Sequence, residues 1–116
     1  MTPGLNIYQE DRPWGNFRKF TDNVPSTVKI LTVKAGESLS LQSHKNRSEF
    51  WKIVMGTGLA EIDGTVYKAK PGDEYLIPVG TKHRLTAETE LEVMEIAFGE
   101  FAEEDVIHYE DKYGRA

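Results

Sequence analysis

The stretch LSLQSHKNRSEFW, residues 39–51, sets Gln42, His44 and Glu49 within eight positions of one another. An amide oxygen, an imidazole nitrogen and a carboxylate are all donors for a divalent cation. Whether they act together depends on direction. Side chains two apart on a strand share a face, so Gln42 and His44 point the same way, with Ser40 beside them. The four residues KNRS leave room to turn into a following strand, in which Glu49, Trp51, Ile53 and Met55 share one face. An apolar floor thus continues beneath Glu49. A fourth donor comes from PGDEYLIPVGTKHRL, where His83 lies three residues after Gly80. Turns at Pro71-Gly72 and Pro78-Val79-Gly80 stiffen this stretch and hold the histidine at small entropic cost. An inward glutamate is strongly unfavourable unless it is paired or bound to a metal. Gln42, His44, Glu49 and His83 are therefore candidates for one metal-ligand set, against the plainer reading of each histidine as a satisfied core residue.

The elements that must position these groups are short strands. Proline and glycine punctuate the chain, and between them lie runs rich in β-branched and aromatic residues: STVKILTVK, SLSLQSH, FWKIVMG, GLAEIDG, TVYKAK, EYLIPV, HRLTAE and LEVMEIAFG. Several alternate apolar and polar residues, the signature of a strand with one buried face. EIDGTVYK predicts a hairpin turning at Asp63-Gly64, because aspartate and glycine tolerate positive φ. Only the tail, FAEEDVIHYEDKYGR, has room for a turn or two of helix. Eight or more short strands with frequent turns predict an all-β antiparallel sandwich or barrel.

The chain has 116 residues, enough for one core and too few for two. It reads as a single domain with an N-terminal arm (1–24), a barrel (about 25–101) and a C-terminal tail (102–116). Apolar residues at 39% and charged residues at 28% lie within the globular range, so long disorder is not expected. A net charge of −5 argues against a nucleic-acid partner, since phosphate backbones select basic faces. No apolar run reaches a membrane span, and no basic cluster suggests a membrane surface. The absence of cysteine excludes disulfides and thiolate zinc sites, so any metal is held by nitrogen and oxygen. That composition, with no secretory leader, fits a cytoplasmic location.

The two ligand stretches resemble the two motifs of the cupin superfamily. The first runs Gly36, Gln42, His44, Glu49 and Gly56, with glutamine replacing the first histidine of the pattern. The second runs Gly72, Pro78, Gly80 and His83 without departure. This resemblance implies a double-stranded β-helix, or jelly-roll barrel, with ligands facing the lumen. Within that superfamily RPWGNF, LSLQSHKNRSEFW and EEDVIHYEDKYGR are similar to the cupin domain of type II mannose-6-phosphate isomerases. That domain is often fused behind a mannose-1-phosphate guanylyltransferase. Three positions depart from the family pattern: Phe50 and His108 stand where histidine and arginine are usual, and Ala97 where glutamine is common.

The resemblance implies a metal-dependent sugar-phosphate isomerase, moving a proton between adjacent carbons of an aldose or ketose phosphate through an enediolate. Zinc is the first choice of metal. Two histidines and a carboxylate also suit iron, and manganese, nickel or cobalt fit the same donors. With four side chains on the metal, the base must be another group. Glu95 shares a face with Leu91 and Val93 and so aims at the interior, making it the extra carboxylate to test. Arg84 follows His83 and on a regular strand faces the other side. A bend after Gly80 would bring it inward as an electrostatic stabiliser or phosphate clamp. Arg12 and Trp14 would fold the arm over a rim, and Lys29 and Arg47 are further phosphate contacts. His108 is read as a tail residue without chemistry. The expected partner is a phosphorylated sugar, and the resemblance implies a homodimer. The alternatives are another metallocupin enzyme, such as an iron-dependent dioxygenase, and a non-catalytic sugar-binding cupin.

Overall fold

The computed structural model describes residues 7–115. The first six residues of the expected arm, and the last residue of the tail, lie outside the described residues. Eleven strands follow one another: β1 (Tyr8–Arg12), β2 (Gly15–Lys19), β3 (Ser26–Val33), β4 (Leu41–Ser43), β5 (Arg47–Met55), β6 (Gly58–Ile62), β7 (Thr65–Ala69), β8 (Glu74–Ile77), β9 (His83–Ala87), β10 (Leu91–Gly99) and β11 (Ile107–Glu110). No helix occurs among the described residues, so the tail departs from expectation. Ile107–Glu110 adds an edge strand instead, because β4 offers its unpaired backbone groups to it.

In β3 every second residue from Ser26 to Thr32 is exposed, as the pleat of a strand requires, and two of these, Val28 and Ile30, are apolar. Between β6 and β7 the chain turns at Asp63 and Gly64, whose φ values of 50° and 81° are those of a two-residue hairpin turn.

Two antiparallel sheets face each other. One has the order β3-β10-β5-β8 and the other β11-β4-β9-β6-β7, while β1 and β2 form a separate hairpin. Sequence neighbours repeatedly lie in opposite sheets, which is what a jelly roll requires. Between the sheets Val33, Trp51, Ile53, Leu91 and Val93 meet Ala60, Ala69, Leu85 and Ala87, all buried. This apolar mass fills one part of the lumen and leaves the rest to polar side chains. A second cluster of Phe50, Ile96 and Phe98 lies on the outer face of the first sheet, with Ile7 and Phe20 from the arm packed on it. The arm therefore lies along the outside of the barrel.

Register decides what looks inward. Across the first sheet Lys29, Glu95 and Trp51 form one row, and Ala97, Glu49 and Ile77 the next. Across the second, His108, Gln42 and His83 lie side by side. These rows carry Lys29, Glu95 and Glu49 on one sheet and His108, Gln42 and His83 on the other toward one half of the barrel.

Candidate metal centre

His44, Glu49 and His83 come together: one donor atom from each lies within 4.8 Å of the others, and all three side chains are buried. Each arrives by a different route. Glu49 sits in the interior of β5, opposite Ala97, whose small side chain leaves the lumen open there. His83 opens β9, and His44 follows the last residue of β4. The two histidine loops are tied to each other by Gly80, whose N–H donates to the His44 carbonyl at 2.9 Å. Gly80 has φ of +80°, a conformation that suits glycine and explains its place before the ligand.

Both imidazoles are set in the same tautomer by backbone carbonyls. His44 Nδ1–H donates to the Asp105 carbonyl at 2.7 Å and His83 Nδ1–H to the Thr81 carbonyl at 2.8 Å. Each Nε2 then carries a lone pair turned into the lumen, the arrangement of metal-binding histidines with an oriented outer ring nitrogen. Glu49 Oε1 lies 3.4 Å from His44 Nε2 and 3.1 Å from His83 Nε2. Glu49 Oε1 and His83 Nε2 are buried and have no hydrogen-bond partner. Two facing acceptors without a donor are costly in a dry interior, and a cation between them satisfies both. The residues present fit a divalent metal.

Electrostatics agrees. Burial alone would raise the Glu49 pKa, yet the two imidazoles beside it, when their Nε2 atoms take up a proton, hold its carboxyl well below the usual range. Burial alone would lower His44, but the hydrogen bond and charge of Glu49 and the Asp105 carbonyl raise it above an ordinary imidazole. The site thus wants positive charge beside Glu49.

Gln42 lines the same cavity of about 380 Å³ and is the cross-strand neighbour of His83. Glu95 lines it too and is only 8% exposed. Trp51 Nε1–H donates to Glu95 Oε2 at 3.0 Å, while the indole edge packs against His83 with ring centroids 5.4 Å apart. Burial first, and the Glu49 charge second, raise the Glu95 pKa. Lys29 lines the mouth, paired with Glu103 at 3.2 Å.

Three expectations change. Arg84 does not bend inward. β9 is regular, so its guanidinium lies on the outer face, bonded to Glu61 at 2.9 and 3.1 Å and paired with Glu110 at 3.4 Å. Arg12 and Trp14 stand at the tip of the β1–β2 hairpin, where Arg12 pairs with Glu10 and Trp14 is 73% exposed. Neither lines the cavity, because the arm anchors through Phe20 on Phe50 at the outer sheet face. Arg47 does reach the cavity, but its donors are largely committed within the chain: Nε to Glu49, Nη1 to the Ala102 and Asp105 carbonyls, Nη2 toward His44.

Two participants escaped the sequence reading. Asp105 holds the His44 loop from 60 positions away, its carboxylate accepting the Lys45 and Asn46 N–H groups at 2.9 Å. His108 lines the cavity, with Nδ1 at 2.7 Å from Ser40 Oγ. No local spacing signals Asp105, whereas the alternation IHYE in the tail signals a strand that would aim His108 beside Gln42. Of the departures from the family pattern, Phe50 faces away from the lumen and cannot alter the site.

Comparison with known proteins bears on the whole chain. The chain is 38% identical to the mannose-1-phosphate guanylyltransferase ManC of Salmonella typhimurium over 107 residues, which is 90% of the chain and 22% of the relative. It is 37% identical to the alginate biosynthesis protein AlgA of Pseudomonas putida, over 96% of the chain and 23% of that protein. The chain thus spans under a quarter of the length of these relatives. Among solved structures, a cupin protein from Bacteroides fragilis matches with a TM-score of 0.59 at 26% identity, over 68% of this chain and 70% of that one. Ectoine synthase from P. lautus matches with a TM-score of 0.62 at 23% identity, over 72% and 64%. A salicylate 1,2-dioxygenase from Pseudaminobacter salicylatoxidans matches with a TM-score of 0.61 at 20% identity, over 69% and 23%.

These relatives correct the expected activity. They are named for guanylyl transfer and polysaccharide biosynthesis, so the aldose–ketose isomerase reading of the isolated domain does not stand. The dioxygenase alternative has a likeness of fold alone. The fold is that of a single cupin domain. A model of the family described as Mannose-6-phosphate isomerase C-terminal matches residues 6–111, and the chain belongs to that family.

Proposed function

We propose that this domain is a metal-binding cupin that holds one divalent cation, zinc by first choice, through His44, Glu49, His83 and Gln42, and with it an anionic, oxygen-rich small molecule. The observation that carries the reading is the pair of buried, unpartnered atoms, Glu49 Oε1 and His83 Nε2, facing each other at 3.1 Å. Mixed nitrogen and oxygen donors suit zinc, with Zn–N distances of about 2.0–2.1 Å, and three or four protein ligands leave a position for a ligand oxygen. When bound, the metal supplies Lewis acidity to a ligand carbonyl or hydroxyl.

The chain's own residues do the rest. His44 and His83 are oriented by carbonyls, Trp51 walls the dry side, and Glu95 stands ready to take or give a proton at a ligand hydroxyl. Three basic side chains (Lys29, Arg47, Arg115) and three carboxylates (Glu49, Glu95, Glu103) line the cavity. A divalent cation tips this balance positive and favours an anion. The names of the relatives make a mannose phosphate, mannose 1-phosphate first, the ligand to test, and a cytoplasmic setting goes with such a substrate. We keep the homodimer as part of the same proposal, since β3 is an edge strand that a second copy would cover.

The test begins with elemental analysis of protein purified without added metal, followed by calorimetry with mannose 1-phosphate. One metal per chain, and ligand binding that chelator abolishes, are the expected results. Substoichiometric metal, or ligand binding indifferent to chelator, overturns the proposal. Light scattering reads the dimer, and a monomeric mass removes that part.

A further inference from the structure

Arg47 is a buried guanidinium, 7% exposed, in direct contact with two residues of the metal site. Its Nε–H donates to Glu49 Oε2 at 3.2 Å, and an Nη2–H lies 3.4 Å from His44 Nε2, the nitrogen turned toward the lumen. The rest of the side chain is gripped from elsewhere. Nη1 donates to the Ala102 carbonyl at 3.0 Å, and the guanidinium stacks on the Phe101 ring at 4.5 Å. Lys29 Nζ stands 4.4 Å from the same ring centroid and pairs with Glu103. The segment between β10 and β11 therefore clamps Arg47 in place independently of Glu49, so it cannot swing out to solvent when a cation arrives.

We infer that Arg47 is a positioning residue that serves as the built-in counter-ion of the metal site, standing beside Glu49 in place of the metal's charge and thereby keeping the bound ion exchangeable. This deepens the proposed function and rests on its metal ligands. Without Arg47 the empty site would hold a buried carboxylate with no fixed cation, an arrangement that is strongly destabilising. With it, the empty barrel is stable. The same positive charge opposes an incoming divalent ion and confines Glu49 Oε2 to the guanidinium, leaving Oε1 to the metal.

An alternative role, pure orientation of Glu49, predicts the opposite sign. Residues that only orient a ligand weaken metal binding when removed, typically by about 10–100-fold. Removing an opposing charge strengthens it, on the order of tenfold or more for a partly buried neighbour. Magnitude and sign together separate the two.

The experiment measures zinc affinity by competition with a chromophoric chelator in the wild type, Arg47→Lys, Arg47→Gln and Arg47→Met. The melting temperature of each metal-free protein is recorded alongside. Arg47→Lys keeps the charge and is expected within about threefold of wild type. Arg47→Met and Arg47→Gln are expected to melt lower when empty, to bind zinc at least about tenfold more tightly, and to release it more slowly. Arg47→Gln retains amide donors toward the strap, so it reports even where Arg47→Met does not fold. Weaker or unchanged zinc binding in the neutral variants overturns the inference. Failure of the wild type itself to bind zinc removes the metal reading underneath, which is a separate outcome.

Discussion

Replacing Glu49 by glutamine tests the metal centre with the least disturbance of shape. The side chain is 1% exposed and contributes one of three charged or imidazole donors. Complete zinc sites with four protein ligands release about 10–16 kcal/mol on binding, so one ligand is worth roughly 3 kcal/mol, or about 10²-fold in affinity. In the empty protein the change keeps the hydrogen bonds but leaves the buried Arg47 without its carboxylate, so each protein is compared with its own chelator-treated form. The new amide presents its oxygen to Arg47 Nε–H and its NH₂ to the bare His83 Nε2, 3.1 Å from the present Oε1. At a zinc concentration 100 times the wild-type Kd, wild type gains about 2.7 kcal/mol from binding. The variant, with a Kd about 100-fold weaker, gains only about 0.4 kcal/mol under the same conditions. The difference of about 2.3 kcal/mol corresponds to a melting-temperature gap of roughly 10 °C for a domain of this size. Paired thermal melts with zinc and with chelator read this gap, and elemental analysis reads the stoichiometry. Equal zinc-induced shifts in the two proteins would refute the reasoning, because the cation would then lie elsewhere.

Further outcomes follow from the surroundings of the site. Glu95→Gln keeps an oxygen for the Trp51 N–H and removes a carboxyl whose pKa burial and Glu49 raise. A raised folded-state pKa means the ionised carboxylate opposes folding, fully so above that pKa and not at all below the ordinary 4.5. Chelator-treated Glu95→Gln should therefore be more stable than wild type near neutral pH, the gain fading as pH falls toward 4.5. A gain that persists in acid would contradict this. Asp105→Ala frees the Lys45 and Asn46 N–H groups and loosens the His44 loop, while the backbone carbonyl that orients His44 survives. Zinc affinity should drop by about tenfold, the low end for an outer partner, and an unchanged value would sink the role given to Asp105. Arg84→Met loses only its outer-face ion pairs with Glu61 and Glu110, each worth under about 1 kcal/mol. Zinc and mannose 1-phosphate binding should stay within about twofold, and a larger loss would return Arg84 to the site.

The sequence by itself determined the strands from β3 to β10 and the faces of the ligands. Alternation and turn chemistry are local, so the Asp63-Gly64 hairpin and the shared face of Gln42 and His44 followed from neighbouring residues. The spacing of His44, Glu49 and His83 could be read for the same reason, since each lies a fixed step from a turn that aims it. Only tertiary structure decided what surrounds them. Asp105 reaches the His44 ring across 61 positions and His108 reaches Ser40 across 68, through a tail whose weak periodicity suggested at most a turn of helix. Arg84 stayed outside because β9 kept its regular pleat. Phe50 faced outward for the same reason, one step from the ligand Glu49. Arg47 changed role altogether: sequence shows a cation near a pocket, but the strap that consumes its donors is assembled by the pairing of β4 with β11. Side-chain direction along a strand is set by the residues on either side of it, whereas the company a side chain keeps is set by which distant strands the barrel closes together.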